Sequence, residues 1–222
     1  MDYSTNWKKL ISIFGYGFVD DLEQYKFIVK VRAYTDMQPR TIRGLGEFRK
    51  DSDNNDKLSE IFDNLAESLH SFVVSEPAKS ETEFNKWHKT LCEKFVGDFN
   101  RITDKKNVEK IKFGKAQKII NVSLKYIYCL KGADQYADKF KHCHMILDRY
   151  TYSEGFYKKE VMPYCNISAQ LTSWSKLTYD EYNNIQKNIS DFLKESNQYK
   201  NSHGKSLTPF EAEFYIFNKY NQ

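Results

Sequence analysis

Two lysines share one stripe of an otherwise apolar segment, and this spacing suggests amine chemistry. Within residues 108–126, Lys118, Asn121 and Lys125 stand at i, i+3 and i+7, so a helix places them on one face. If that face lines a cleft, burial and mutual repulsion favour the neutral, nucleophilic form of an amine. The alternative is a helix whose polar stripe only touches solvent.

Positive charge is concentrated just before and within this segment. The formal charge of the whole chain is +4, whereas six lysines oppose only Glu109 over residues 105–118. These lysines are Lys105, Lys106, Lys110, Lys112, Lys115 and Lys118. Such a cluster suits contact with phosphates, which is independent of base sequence. A solvated helix face explains the same charges without a ligand.

The same region has the pattern of a helix, a glycine-containing break and a second helix. It reads VEKIKFGKAQKIINVSLKY, with Gly114 at the break. A tight hairpin exposes backbone N–H groups at the start of the second helix, and these groups hold a DNA phosphate together with the helix dipole. Gly114 would permit the turn and the close approach of the backbone.

The run GKAQKIINVSL at residues 114–124 resembles the hairpin and catalytic helix of the helix-hairpin-helix DNA glycosylases. In that superfamily glycine, a small residue and a polar residue lead into a catalytic lysine, which corresponds to Lys118. A catalytic aspartate follows downstream after an apolar residue, as Leu147-Asp148 stands here. The gap of thirty residues is similar to that of the archaeal 8-oxoguanine DNA glycosylases, which share a second lysine at the position of Lys125.

The resemblance covers residues 107–152, with Ala116 in the place of the hairpin's second glycine. It implies that a nucleotide is flipped from the duplex into an aromatic-lined pocket. Asp148 would stabilise the oxocarbenium-like sugar, and Lys118 would attack C1′ to form a Schiff base that permits strand cleavage. Asp148 is also a candidate N-cap, and both roles can coexist. The cysteines of an iron-sulfur cluster are absent, so no cofactor and no metal are expected.

Further residues are assigned to the site on weaker signals. The candidate DNA contacts are Lys110, Lys112, Gly114, Lys115 and Gln117. The candidate base-pocket or auxiliary residues are Asn121, Lys125, His142, His144 and Trp174. The two histidines flank Cys143 without the spacing of a zinc site. Trp174 either stacks on a base or is buried at an interface between lobes.

Helical periodicity dominates the elements that must position these residues. Helices are predicted at residues 57–72, 81–99, 108–130, 179–195 and 209–220, the third broken near its start. The second would begin at a cap provided by Ser80 or Thr82. Residues 27–33, FIVKVRA, fit either a short strand or a helix. We therefore predict one all-α unit over residues 1–222, with two helical lobes flanking a cleft.

Composition excludes several classes of protein. With 29% charged and 16% aromatic residues, the 222-residue chain is neither disordered nor collagen-like. No apolar run reaches the ~20 residues of a membrane helix, and residues 10–19 are expected to be a buried segment rather than an export signal. The four cysteines form no CxxC pair, which favours reduced thiols in the cytoplasm. Phosphate-loop, dinucleotide-binding, metalloprotease and deaminase motifs are absent.

The sequence therefore predicts a DNA glycosylase with abasic-site lyase activity. Its substrate would be an oxidised or otherwise modified base, with a purine such as 8-oxoguanine expected from the resemblance. Its partner would be double-stranded DNA, bound by a monomer that associates with the nucleoid. Two alternatives remain: a non-catalytic helix-hairpin-helix DNA-binding module, and a defence-associated helical protein whose lysine stripe meets an acidic partner.

Overall fold

The computed structural model describes residues 10, 12–13, 16–104 and 106–220, and this part of the chain is helical. It contains no β-strand, only two isolated bridges, so the all-α prediction is confirmed for the residues described. The longer helices are α1 (22–36), α2 (Ser52–His70), α3 (Glu81–Thr103), α4 (Phe113–Ile127), α5 (Tyr179–Glu195) and α6 (Pro209–Tyr220). One-turn helices connect them.

Side-chain caps begin five of these helices, α2, α3 and α5 among them. The Asp51 carboxylate accepts from the backbone N–H of Asn54, so α2 starts more than a turn before its apolar periodicity becomes clear. Ser80 and Glu83 form a reciprocal capping box at α3, which confirms one of the two predicted caps. Thr178 begins α5 in the same way. Each cap satisfies backbone donors that have no partner within the helix.

Residues 27–33 belong to a helix, which decides between the two interpretations of this segment. They lie inside α1, whose middle is the π-helical turn Ile28–Ala33. Ile28, Val29 and Ala33 are buried at helical spacing. The expectation of a buried segment at residues 10–19 is confirmed for Val19, which is buried, and is wrong for Ile13, Tyr16 and Phe18, which are exposed; residues 11, 14 and 15 lie outside the described part.

Helix α4 begins at Phe113, so the predicted helical start at residue 108 is wrong. Residues 108–112 are an extended connection, in which the Asn100 side chain bonds both backbone groups of Ile111. Gly114 therefore lies in the first turn of α4 and not at a break. A Cβ there would lie 1.9 Å from the carbonyl oxygen of Trp174, so the glycine permits close packing of two backbones.

Helix α4 is buried on all sides and forms the centre of the molecule. Every one of its residues except Tyr126 is buried. Helices α1, α3 and α5 pack on it, as does the turn Trp174–Lys176, while α6 packs against the turn Arg149–Ser153. The polar side chains of α4 therefore point into the interior, where each requires a partner.

Candidate active site

The structure brings Lys118 and Asp148 together. Lys118 Nζ lies 3.4 Å from Asp148 Oδ2, and the two side chains are 7% and 13% exposed. Both line one cavity of about 710 Å³, which falls within the range of small-ligand sites. The amine and the carboxylate thus lie in the wall of the same cavity.

Asp148 presents one oxygen to this cavity because the backbone holds the other. It is the N-cap of the turn Arg149–Ser153, where Oδ1 accepts from the N–H groups of Tyr150 at 2.9 Å and Thr151 at 3.2 Å. The Thr151 hydroxyl in turn accepts from the Asp148 N–H at 3.0 Å. The capping role is therefore present, and it leaves Oδ2 directed at Lys118.

Trp174 lies behind the lysines and not in the cavity wall. Its ring centroid is 4.6 Å from Lys118 Nζ and 4.9 Å from Lys115 Nζ, and its side chain is buried. It is not among the described residues that line the cavity. Its role here is a cation–π contact with two ammonium groups, so the interpretation as a base-stacking residue is not supported by its position.

The ammonium of Lys115 is hydrogen-bonded to residues that follow the end of α1. Its ammonium donates to the carbonyl oxygens of Met37 at 2.7 Å and Gln38 at 3.0 Å, and to the Thr41 hydroxyl at 2.8 Å. Burial, together with the nearby charge of Lys118, lowers the pKa of Lys115 to about 8. These bonds join α4 to α1 along the cavity's edge.

Lys125 forms an ion pair with a residue that the sequence analysis did not identify. Its Nζ lies 2.6 Å from Glu213 Oε1, with the two side chains 6% and 3% exposed. Burial raises the pKa of Glu213 above its usual range, although Lys125 opposes the shift. The sequence feature that could have identified this partner is Glu213 itself, a carboxylate beside Phe210, Phe214 and Phe217 on the apolar stripe of α6.

Of the three α4 lysines, Lys118 has the loosest attachment. Among the described residues its ammonium has the 3.4 Å contact with Asp148 and the Trp174 ring. Lys115 makes three hydrogen bonds and Lys125 makes a short ion pair. Lys118 is therefore the amine best able to reach a guest in the cavity.

The remaining cavity wall is aromatic, and its rim is basic. Tyr34, Tyr126, Tyr150 and Phe217 supply aromatic surface. The Tyr126 hydroxyl donates to the Asp36 carboxylate, which also lines the cavity. The basic lining residues are Lys30, Arg40 and Arg49, of which Lys30 is paired with Asp63 at 2.7 Å.

Gln117 and Asn121 are buried inside the protein, so their expected contacts with DNA or a base are not seen. The Gln117 amide donates to the Leu147 carbonyl at 2.9 Å and accepts from the Leu147 N–H at 3.3 Å. Asn121 donates to the Tyr182 hydroxyl and lies 2.8 Å from His88 Nε2. This network anchors the segment that carries Asp148 against α4.

His142 and His144 lie away from Lys118. They line a different cavity, together with residues of α5. The two ring nitrogens of His144 bond Asn85 at 2.7 Å and the Tyr182 hydroxyl at 2.9 Å. Burial holds the pKa of His144 well below its usual range, with His88 adding to the shift. The cavity that they line contains neither Lys118 nor Asp148, so their position does not support the prediction that they belong to the base pocket.

The predicted phosphate contacts divide into surface and interior groups. Lys110 and Lys112 are exposed, whereas Lys115 is buried. All three line a second cavity of about 340 Å³ near the start of α4, to which Lys176 contributes a further ammonium. The structure thus gathers a basic patch one helical turn from Lys118, with Gly114 packed beneath the Trp174 backbone.

Comparison with protein-family models, curated proteins and solved structures finds no match to this chain. Within the residues described, no helix combines the length and apolarity needed to cross a membrane. The same residues contain no group of three His, Cys, Asp or Glu side chains placed to hold a metal ion.

Proposed function

We propose that this protein is a DNA glycosylase with abasic-site lyase activity, acting on an oxidised or otherwise modified base. One observation carries the proposal: Lys118 and Asp148 meet at 3.4 Å in the wall of a cavity with aromatic sides and a basic rim. An amine beside a carboxylate is the pair that cleavage of a sugar–base bond followed by Schiff-base formation requires.

In this mechanism the flipped nucleoside occupies the cavity with its sugar at Lys118. Asp148, whose Oδ1 is fixed by backbone donors, holds Oδ2 beside the positive charge that develops on the sugar. The amine of Lys118 attacks C1′ as the bond to the base breaks, and one proton of the amine passes to the departing base. Ring opening then breaks the C1′–O4′ bond, the remaining proton on the nitrogen passes to O4′ to form a hydroxyl, and a C1′=N Schiff base results; removal of a C2′ proton expels the 3′ phosphate.

Two basic groups would hold the DNA backbone outside the cavity. Lys110, Lys112 and Lys176 surround the second cavity, and Arg40 and Arg49 lie at the rim of the first. In this proposal the α3–α4 connection serves as the phosphate-binding hairpin. Helix α1 forms one lobe, and residues 146–150 with α6 form the other. Binding through phosphates would depend strongly on salt concentration.

The proposal is tested by borohydride trapping on duplex DNA that contains an abasic site. The parent protein should form a covalent adduct, and Lys118→Met should not, because the reduced Schiff base requires that amine. Lys187→Met is the matched control, since Lys187 is exposed and distant on α5. Circular dichroism should confirm that both variants are folded.

The other outcomes separate the alternatives. Release of a modified base without any adduct would indicate a glycosylase that lacks the lyase step. Salt-sensitive duplex binding without base release or cleavage would favour the non-catalytic DNA-binding module. Absence of DNA binding would favour the helical interaction protein and would refute the proposal.

A further inference from the structure

We propose that the cavity lined by His142 and His144 is a separate ligand site, which binds a small phosphate ester that carries hydroxyl groups, such as a sugar phosphate. This His142 cavity has a volume of about 510 Å³, within the range of small-ligand sites. It shares none of its described lining residues with the cavity of Lys118 and Asp148. The inference therefore goes beyond the proposed function and does not depend on it.

Four segments that are distant in sequence form the walls of the His142 cavity. They are the first two turns of α3, residues 141–144, one face of α5 and residues 206–209 at the start of α6. All the described lining residues are polar or charged except Leu207 and Pro209. A polar cavity of this size holds water or a polar ligand, whereas an apolar guest would leave the hydrogen-bonding groups of its walls without partners.

Hydrogen bonds hold these walls in place. The Gln186 amide of α5 donates to the Met145 carbonyl at 2.7 Å and accepts from the Met145 N–H at 3.3 Å. The ring nitrogens of His144 lie 2.7 Å from Asn85 Oδ1 and 2.9 Å from the Tyr182 hydroxyl. These bonds join one wall segment to both α3 and α5. The cavity is therefore preorganised, and a ligand would lose little free energy in ordering it.

Several polar groups in the walls remain available to a ligand. Within the described part of the chain, the side chains of Lys141, His142, Asn183 and Ser190 make no hydrogen bond or ion pair. Three of them are only partly exposed, Lys141 being the exception. Polar groups that are withdrawn from bulk water normally have partners, so these groups are placed to bind whatever fills the cavity.

The available groups are mainly donors, which favours an anionic oxygen ligand. The Lys141 ammonium, the Asn183 amide nitrogen and the Ser190 hydroxyl can all donate to a phosphate. The Asp191 carboxylate is already within ion-pair distance of two lysines of α5. The Glu81 carboxylate and the Asn183 amide oxygen remain as acceptors, and they suit hydroxyl groups on the same ligand.

The walls offer no surface for a nucleobase. None of the described residues that line the His142 cavity is a Phe, Tyr or Trp, so a base would have no aromatic ring of this kind to stack on. A phosphate ester built on a sugar needs no such surface. The chemistry of the walls therefore fits a sugar phosphate better than a nucleotide.

Isothermal titration calorimetry on the full chain tests the inference with ribose 5-phosphate as the probe. The parent should bind it with a Kd below about 1 mM, and ribose, which lacks the phosphate, should not bind in that range. Asn183→Asp places a negative charge in the cavity wall and should weaken binding at least about tenfold. The matched control is Asn184→Asp, the same change at the neighbouring exposed residue, which should keep the Kd within about twofold.

A second variant covers the case in which Asn183→Asp fails to fold. Lys141→Glu alters an exposed side chain and should also weaken binding at least about tenfold. Lys158→Glu makes the same charge change at an exposed residue that does not line the cavity, and it should leave the Kd unchanged.

Four results would overturn the inference. They are no binding of ribose 5-phosphate by the parent, equal affinity for ribose, equal weakening by a variant and its control, and displacement of the sugar phosphate by duplex DNA. The last result would assign the cavity to the DNA backbone. None of these measurements requires lyase activity, so a failure of the proposed function is distinguishable from a failure of this inference.

Discussion

Removing either partner of the buried Lys125–Glu213 pair should destabilise the protein, and only the variant that keeps Glu213 should become less stable, relative to the parent, as the pH rises. The pair joins α4 to α6 over 2.6 Å, with neither side chain more than 6% exposed. Breaking a buried pair by removing one partner costs about 3–5 kcal/mol, because the remaining charge is left without compensation. In a chain of this size each kcal/mol lowers Tm by about 2–4 °C.

In Lys125→Met the carboxylate of Glu213 remains. Burial already raises its pKa, and loss of the ammonium raises it further. Since the folded pKa then lies above the unfolded value, the folded state retains a proton that the unfolded state has lost. The free energy of unfolding should therefore fall as pH rises from about 4.5, by up to about 1.4 kcal/mol per pH unit, until the folded pKa is passed.

In Glu213→Gln the ammonium of Lys125 remains without its counter-charge. No carboxyl is left to hold a proton at this position, so this variant should not share the fall in the free energy of unfolding with pH that Lys125→Met shows. Asp148 and Lys118 interact with Glu213 in the parent and are unchanged in both variants, so a difference between their pH slopes comes from the pair. Lys125→Met combined with Glu213→Leu should be close to the parent in stability and should lack the slope of Lys125→Met.

Urea unfolding followed by circular dichroism, repeated at several values between about pH 5 and 8, measures all four proteins. The reasoning would be refuted if both single variants stayed within about 1 kcal/mol of the parent. It would also be refuted if the stabilities of the two single variants, each compared with the parent, changed with pH in the same way. A large loss of stability in the double variant would indicate that the side chains act through packing and not through charge.

Three further predictions follow from the packing around the site. Gly114→Ala should destabilise the protein by about 1–3 kcal/mol, because the added Cβ would lie 1.9 Å from a backbone carbonyl oxygen. Gly97→Ala, whose added Cβ meets open space, should stabilise α3 by about 0.5–1 kcal/mol. Equal effects of the two substitutions in urea unfolding would contradict this difference in packing. Thr151→Val should slow trapping on abasic-site DNA by about tenfold through loss of the hydroxyl that accepts from the Asp148 N–H, and Thr151→Ser should retain the parent rate. Equal rates for Thr151→Val and the parent would exclude the positioning role. A thiol reagent should label Cys165 in the native protein and all four cysteines in urea, since the other three are buried; native labelling of a second thiol would contradict the structure.

Local chemistry made most helices predictable. The bounds of α5 and α6 follow from a threonine cap, a proline in the first turn and apolar residues at helical spacing. The π-helical turn in α1 was ambiguous in sequence, because a short run of β-branched residues fits a strand as well as a buried helix. The start of α4 was placed too early for a related reason. Residues 108–112, VEKIK, place Val108 and Ile111 at helical spacing, and their extended form depends on Asn100 of α3.

In the candidate site, too, some features follow from the local sequence and others from the tertiary structure. Spacing alone placed Lys118 and Lys125 on one face, and it marked Asp148 as a cap, because these properties depend on neighbours within a few residues. Segments distant in sequence determine which amine remains available for a ligand. The end of α1 binds Lys115, and Glu213 of α6 binds Lys125. Gln117 and Asn121 carry hydrogen-bonding groups suited to a ligand, yet they bond to the chain itself once α4 is enclosed on every side. Burial is a property of the assembled helices, so the fate of each polar group on α4 was set by packing and not by its spacing.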